Sequence, residues 1–115
     1  MTTNDIFTYD TPYNSYDCNL SIGEYDNGNL ALSLIGAAGT EYEGELIAVA
    51  SVNPGIEVPR DCLAVKNYSE NSGMLDFLRG IGVVGETAHT INSGFVWITV
   101  CRLAPGGLEL FSTKG

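Results

Sequence analysis

The chain has 115 residues, 44% of them hydrophobic and 17% charged, with a net charge of −9. Those proportions describe one globular domain with a single core, and the six Tyr, four Phe and one Trp exclude a disordered acidic tail. The negative charge argues against direct binding to nucleic acid or to an anionic membrane, because both need a basic face.

Residues 1–14 are polar and aromatic, and Thr11-Pro12 signals a turn. They are expected to form a loosely ordered arm that Phe7, Tyr9 and Tyr13 can pin to the body. Residues 16–35 then read as a β-hairpin. Cys18, Leu20 and Ile22 alternate with polar residues, and Leu30, Leu32 and Leu34 do so on the return. A two-residue Asn-Gly loop would mismatch the apolar faces. A three-residue loop, Asp26-Asn27-Gly28, pairs Leu20 with Leu34 and Ile22 with Leu32, with Gly28 left-handed in a bulge.

Residues 36–40 read as a loop. Glu41, Glu43 and Glu45 alternate with Tyr42 and Gly44, so in an extended chain they would share one strand face about 7 Å apart. Strand continues over 46–52, a loop with two prolines covers 53–59, and a short strand spans 61–66. In that last strand Cys62 and Ala64 take one side and Leu63 and Val65 the other. A helix follows, with Asn71 or Ser72 as its cap and Met74, Phe77, Leu78 and Ile81 as its apolar stripe. Gly82 ends it, and Arg79 complements its dipole. Residues 95–103 are apolar on both faces, which suits a central strand covered on both sides or a strand at an interface. Trp97 is expected in the core, and an exposed apolar edge around Phe95 and Trp97 is the alternative. Pro105-Gly106-Gly107 ends that strand, and Leu108, Leu110 and Phe111 would add a short edge piece. The expected fold is therefore α+β: an antiparallel sheet of about five strands with one helix packed on one face.

Cys18, Cys62 and Cys101 are odd in number and widely spaced, which makes neither a disulfide framework nor a zinc motif. They read as reduced, packed small hydrophobes. The opening Met1-Thr2-Thr3-Asn4-Asp5 lacks the basic start and apolar run of a secretory signal. A cytoplasmic protein of a bacterial host cell is expected. Gly80-x-Gly82-x-x-Gly85 follows a helix instead of opening one after a strand, so it is no dinucleotide loop. His89 with Asp76 or Glu86 and a cysteine could form a catalytic set, but three unlinked residues are not geometry.

The distribution of charge is the strongest functional signal. All five cations, Arg60, Lys66, Arg79, Arg102 and Lys114, lie beyond residue 59. Residues 1–59 hold nine carboxylates, and the rest of the chain is balanced. Such a half attracts cationic surfaces. The expected partner is a basic protein, with Asp17, Glu24, Asp26, Glu41, Glu43 and Glu45 as contact residues. No metal, cofactor or catalytic residue is expected. Carboxylates along a strand would imitate a row of phosphates.

Residues 65–75, then Ser93-Gly94-Phe95-Val96 and Val100-Cys101-Arg102-Leu103, resemble a small uncharacterised domain family of phages, plasmids and integrative elements, domain-of-unknown-function family 4313. The hairpin Asn27-Gly28-Asn29-Leu30-Ala31-Leu32 fits it as well. The resemblance implies mobile-element company but no activity and no site. In size and charge the chain looks like anti-CRISPR-type inhibitors. That likeness implies a Cas effector, or its guide-RNA loading, as the target. An accessory protein-interaction domain working through an apolar edge around Trp97 and Phe111 is the alternative. A small enzyme using His89 is the second alternative.

Overall fold

The computed structural model describes residues 2–112. Its strands are β1 (Phe7–Asp10), β2 (Ser15–Glu24), β3 (Leu30–Gly36), β4 (Leu46–Val49), β5 (Cys62–Val65), β6 (Val84–Ser93) and β7 (Val96–Leu103). Its α-helices are α1 (Met74–Gly80) and α2 (Pro105–Ser112). The strands form two antiparallel sheets, ordered β1-β2-β3-β4 and β5-β7-β6. The class is α+β, but two sheets and two short helices replace the single five-stranded sheet with one helix.

The β2–β3 hairpin has the expected register, with Leu20 opposite Leu34 and Ile22 opposite Leu32. Its loop is closed by the Tyr25 amide donating to the Asn29 carbonyl (2.8 Å) and the Gly28 amide donating to the Tyr25 carbonyl (2.9 Å). Gly28 has φ +87°, the left-handed conformation that this three-residue loop demands. The apolar face decides this register, because a slip of one residue would turn all four aliphatic side chains to solvent. The arm is anchored: β1 pairs with β2, and Tyr9 is buried.

One corner joins the sheets. After β4 the chain shifts partner at Ala50 and Ser51, whose amides both donate to the Leu32 carbonyl (2.9 and 3.2 Å). The Ser51 hydroxyl accepts from the Leu32 amide (2.9 Å) and meets the Tyr25 hydroxyl (2.9 Å). Beyond the corner, Val52 donates to Ala64, and Lys66 donates to Ala50. A strand that changes sheet through a bulge is how such corners are made. The buried Ser51 hydroxyl supplies the bonds that the broken ladder loses.

The central strand β7 divides two cores. Cys101 and Leu103 face the main cluster, with Leu63 and Val65 of β5 and the inward leucines of β2 and β3. Ile98 and Val100 face a smaller cluster with Cys62, Ala64 and Val58. The side assignment expected for β5 is the one observed. Helix α1 buries Met74 and Leu78 in the main cluster and sets Phe77 edge-on to Tyr9 with centroids 5.1 Å apart.

Three local expectations are corrected. Neither Asn71 nor Ser72 caps α1. Its N-cap is Gly73 at φ +96°, with no side-chain cap bond, and the Asn67 side chain accepts instead from the Leu75 amide (2.8 Å). Asn71 is buried and donates to the Val49 carbonyl (2.6 Å). Residues 105–112 are helical instead of an edge strand. Pro105 takes the first helical position, where its missing N–H costs nothing. A Cβ on Gly107 would lie 2.0 Å from the Val83 carbonyl oxygen, so glycine there serves close helix approach. Trp97 is 64% exposed and is not core. The four-residue β5 ends at Val65, opposite Thr99, so beyond Thr99 the tip of β7 pairs with β6 and not with β5.

Candidate functional site

Residues 37–45 fold back over the start of β2. Their backbone is a run of turns, so the expected strand face of Glu41, Glu43 and Glu45 does not form. Two contacts override the alternating pattern. The Tyr42 hydroxyl accepts from the Asp17 amide (3.0 Å), and its ring stands edge-on to Tyr16 with centroids 5.1 Å apart. Gly36 lets the loop lie close, since a Cβ there would sit 1.9 Å from the Tyr42 carbonyl oxygen. Glu43 accepts from the Gly39 amide (3.0 Å).

The loop thus brings three of the predicted contact residues, Glu41, Glu43 and Glu45, to the end of β2 that carries Asp17. All four are exposed. Asp17 accepts from the Thr8 hydroxyl (2.8 Å). These bonds come from neutral donors, which orient a carboxylate without removing its charge. The other two, Glu24 and Asp26, stand at the far end of the hairpin. Glu24 is seven residues from Asp17 along β2, about 23 Å at strand rise. It lines a cleft with Arg60 and Phe111. The six predicted residues therefore fall into two groups.

Three of the four described cations are engaged elsewhere. Lys66 pairs with Glu70, while Arg102 meets Glu86 (3.4 Å) and Asp61 (4.0 Å). Arg79 donates to the Gly85 carbonyl (3.0 Å) and the Thr87 hydroxyl (3.1 Å), locking the end of α1 to β6. Among the described residues, no lysine or arginine forms an ion pair with Asp17, Glu41, Glu43 or Glu45. Lys114 lies outside the described residues.

The three cysteines are free and buried. Burial, with the nearby Asp17 carboxylate, pushes the Cys18 thiol up to about 11. Burial raises Cys62 and Cys101 as well. Such thiols stay protonated and are poor nucleophiles. His89 is exposed opposite Val100, whereas Cys101 points into the main core on the other face of β7. Among the described residues no three of His, Cys, Asp and Glu gather to hold a metal, and no helix is long and apolar enough to cross a membrane.

A second surface feature is apolar. The β6–β7 hairpin turns at Gly94-Phe95, leaving Phe95 fully exposed near Trp97. Ser93-Gly94 marks the turn in the sequence, and the β-branched Thr87, Thr90 and Ile91 mark β6, but the polar spacing hid that strand.

No family model, curated protein or solved structure matches this chain.

Proposed function

We propose that the chain is a small acidic, non-enzymatic inhibitor that binds a basic, nucleic-acid-binding surface of a host defence protein. By resemblance, the target is a Cas effector or its guide-RNA loading step. One observation carries this reading: Asp17, Glu41, Glu43 and Glu45 share one end of the molecule, and among the described residues no lysine or arginine pairs with them. The mechanism is competition, with these carboxylates occupying positions that phosphates need. A braced loop beside a strand end replaces the row of carboxylates along a single strand. Glu24 and Asp26 would make a second contact about 23 Å away, close to seven base steps of a duplex axis. The experiment is a titration of a purified Cas effector–guide complex across a salt series, repeated with Glu41, Glu43 and Glu45 all changed to Gln. Affinity should fall with salt and fall again in the variant. Affinity indifferent to both would overturn the reading.

The exposed Phe95 and Trp97 favour a second reading, an accessory domain that docks through its hairpin tip. Aromatic anchors carry much of the energy of protein interfaces. Under it, Trp97→Ala abolishes partner binding and the glutamine variant leaves it intact.

A further inference from the structure

We propose that Asn27 is a masked deamidation site, held unreactive by a side-chain clasp that its own modification would open. The Asn27-Gly28 pair has the required groups. The deprotonated backbone nitrogen of Gly28 attacks Cγ of Asn27, and the new N–Cγ bond closes a five-membered succinimide. The Cγ–Nδ2 bond breaks and ammonia leaves. Water then opens the ring, giving aspartate or isoaspartate with no change of oxidation state. Glycine favours the attack because no side chain shields its nitrogen.

The fold restrains every group this reaction uses. The Gly28 amide donates to the Tyr25 carbonyl (2.9 Å) and is therefore not free to deprotonate and turn. Asn27 Oδ1 accepts from the Asn29 amide (3.2 Å) and Asn27 Nδ2 donates to Asn53 Oδ1 (3.2 Å), so the side chain is fixed at both ends. The anchor is itself built in. Asn53 Oδ1 also accepts from Asn29 Nδ2 (3.1 Å) and from the Gly55 amide (3.1 Å). Asn29 is buried, donates to the Ile56 carbonyl (2.8 Å) and accepts from the Val58 amide (2.8 Å).

Deamidation would remove the Nδ2 donor in either product, and in the aspartate product would set a carboxylate oxygen facing Asn53 Oδ1, acceptor against acceptor. Asn53 cannot relieve this by turning its amide, because the same oxygen serves two other donors. The product would release loop 53–58 from the hairpin and add a negative charge beside Asp26. A single slow reaction would thus alter both the loop and the charge of this end of the molecule.

The test is peptide mapping by mass spectrometry after incubation at mildly alkaline pH. It compares the native protein, the protein held unfolded in urea, and folded Asn53→Ala and Asn53→Asp. The native protein should deamidate at Asn27 far more slowly than the unfolded chain. Asn53→Ala should raise the native rate about 2- to 10-fold, the span of one hydrogen bond of ordinary net strength. Asn53→Asp keeps an acceptor for all three donors and should retain the slow rate. Equal native and unfolded rates would overturn the proposal without recourse to any variant. Asn53→Ala at the native rate, or Asn53→Asp as fast as Asn53→Ala, would equally overturn the clasp.

Discussion

The Tyr42 hydroxyl accepts the backbone N–H of Asp17 at 3.0 Å, across 25 positions of sequence. That bond ties a loop carrying three glutamates to the strand end that carries a fourth carboxylate. It holds like charges together, which is unfavourable on its own, and the fold offsets the cost with aromatic packing and neutral hydrogen bonds.

Removing the brace should loosen the loop without unfolding the body. Tyr42→Phe deletes one side-chain hydrogen bond, worth about 1 kcal/mol in urea unfolding. Amide exchange at Asp17 should accelerate. Gly36→Ala should cost more, about 1–3 kcal/mol, because its methyl would meet the Tyr42 carbonyl.

Salt should stabilise this protein. Screening weakens repulsion among the carboxylates of residues 1–59 more than it weakens the few exposed ion pairs, which contribute little to stability. The melting temperature, followed by circular dichroism, should rise with sodium chloride. Changing Glu41, Glu43 and Glu45 to Gln should raise it at low salt and flatten the dependence.

Alkaline pH should destabilise the fold through Cys18. Its thiol is raised from the ordinary 9.0 to about 11 by burial first and the Asp17 charge second. The unfolded chain therefore loses that proton first, and stability falls as pH rises from about 9 toward 11. The urea midpoint should drop across that window, and Cys18→Ala should drop less. A thiol reagent at pH 8 should label none of the three cysteines until the protein unfolds.

Asn67 should matter to α1 although it lies seven residues before the helix begins. Its side chain satisfies the Leu75 amide in the first turn. Asn67→Ala should cost about 1 kcal/mol in equilibrium unfolding, as loss of an N-cap does. Ser72→Ala should be nearly silent.

Hairpin register, the two faces of β5 and the stripe of α1 were legible because each follows from a local period. The misread elements share another cause. Glu41–Glu45 alternate as a strand would, but Tyr42 reaches Asp17 and the chain turns. Pro105-Gly106-Gly107 reads as a breaker until the Val83 carbonyl is placed against Gly107. The apolar Phe95–Leu103 run does describe a central strand, yet sequence does not disclose that β5 is shorter than β7. The lopsided charge was plain, but its division into two groups depends on which ends of β2 they occupy.

The corner at Ala50 and Ser51 has a mechanical corollary. Backbone bonding runs from the first sheet into the second through residues 50–52, so neither sheet can peel away alone. A protease cut between Val49 and Asn53 would leave two fragments with raw edges, and each would bare the leucines the other covers. One sharp transition for the intact chain, and none for either piece, is what such a splice implies.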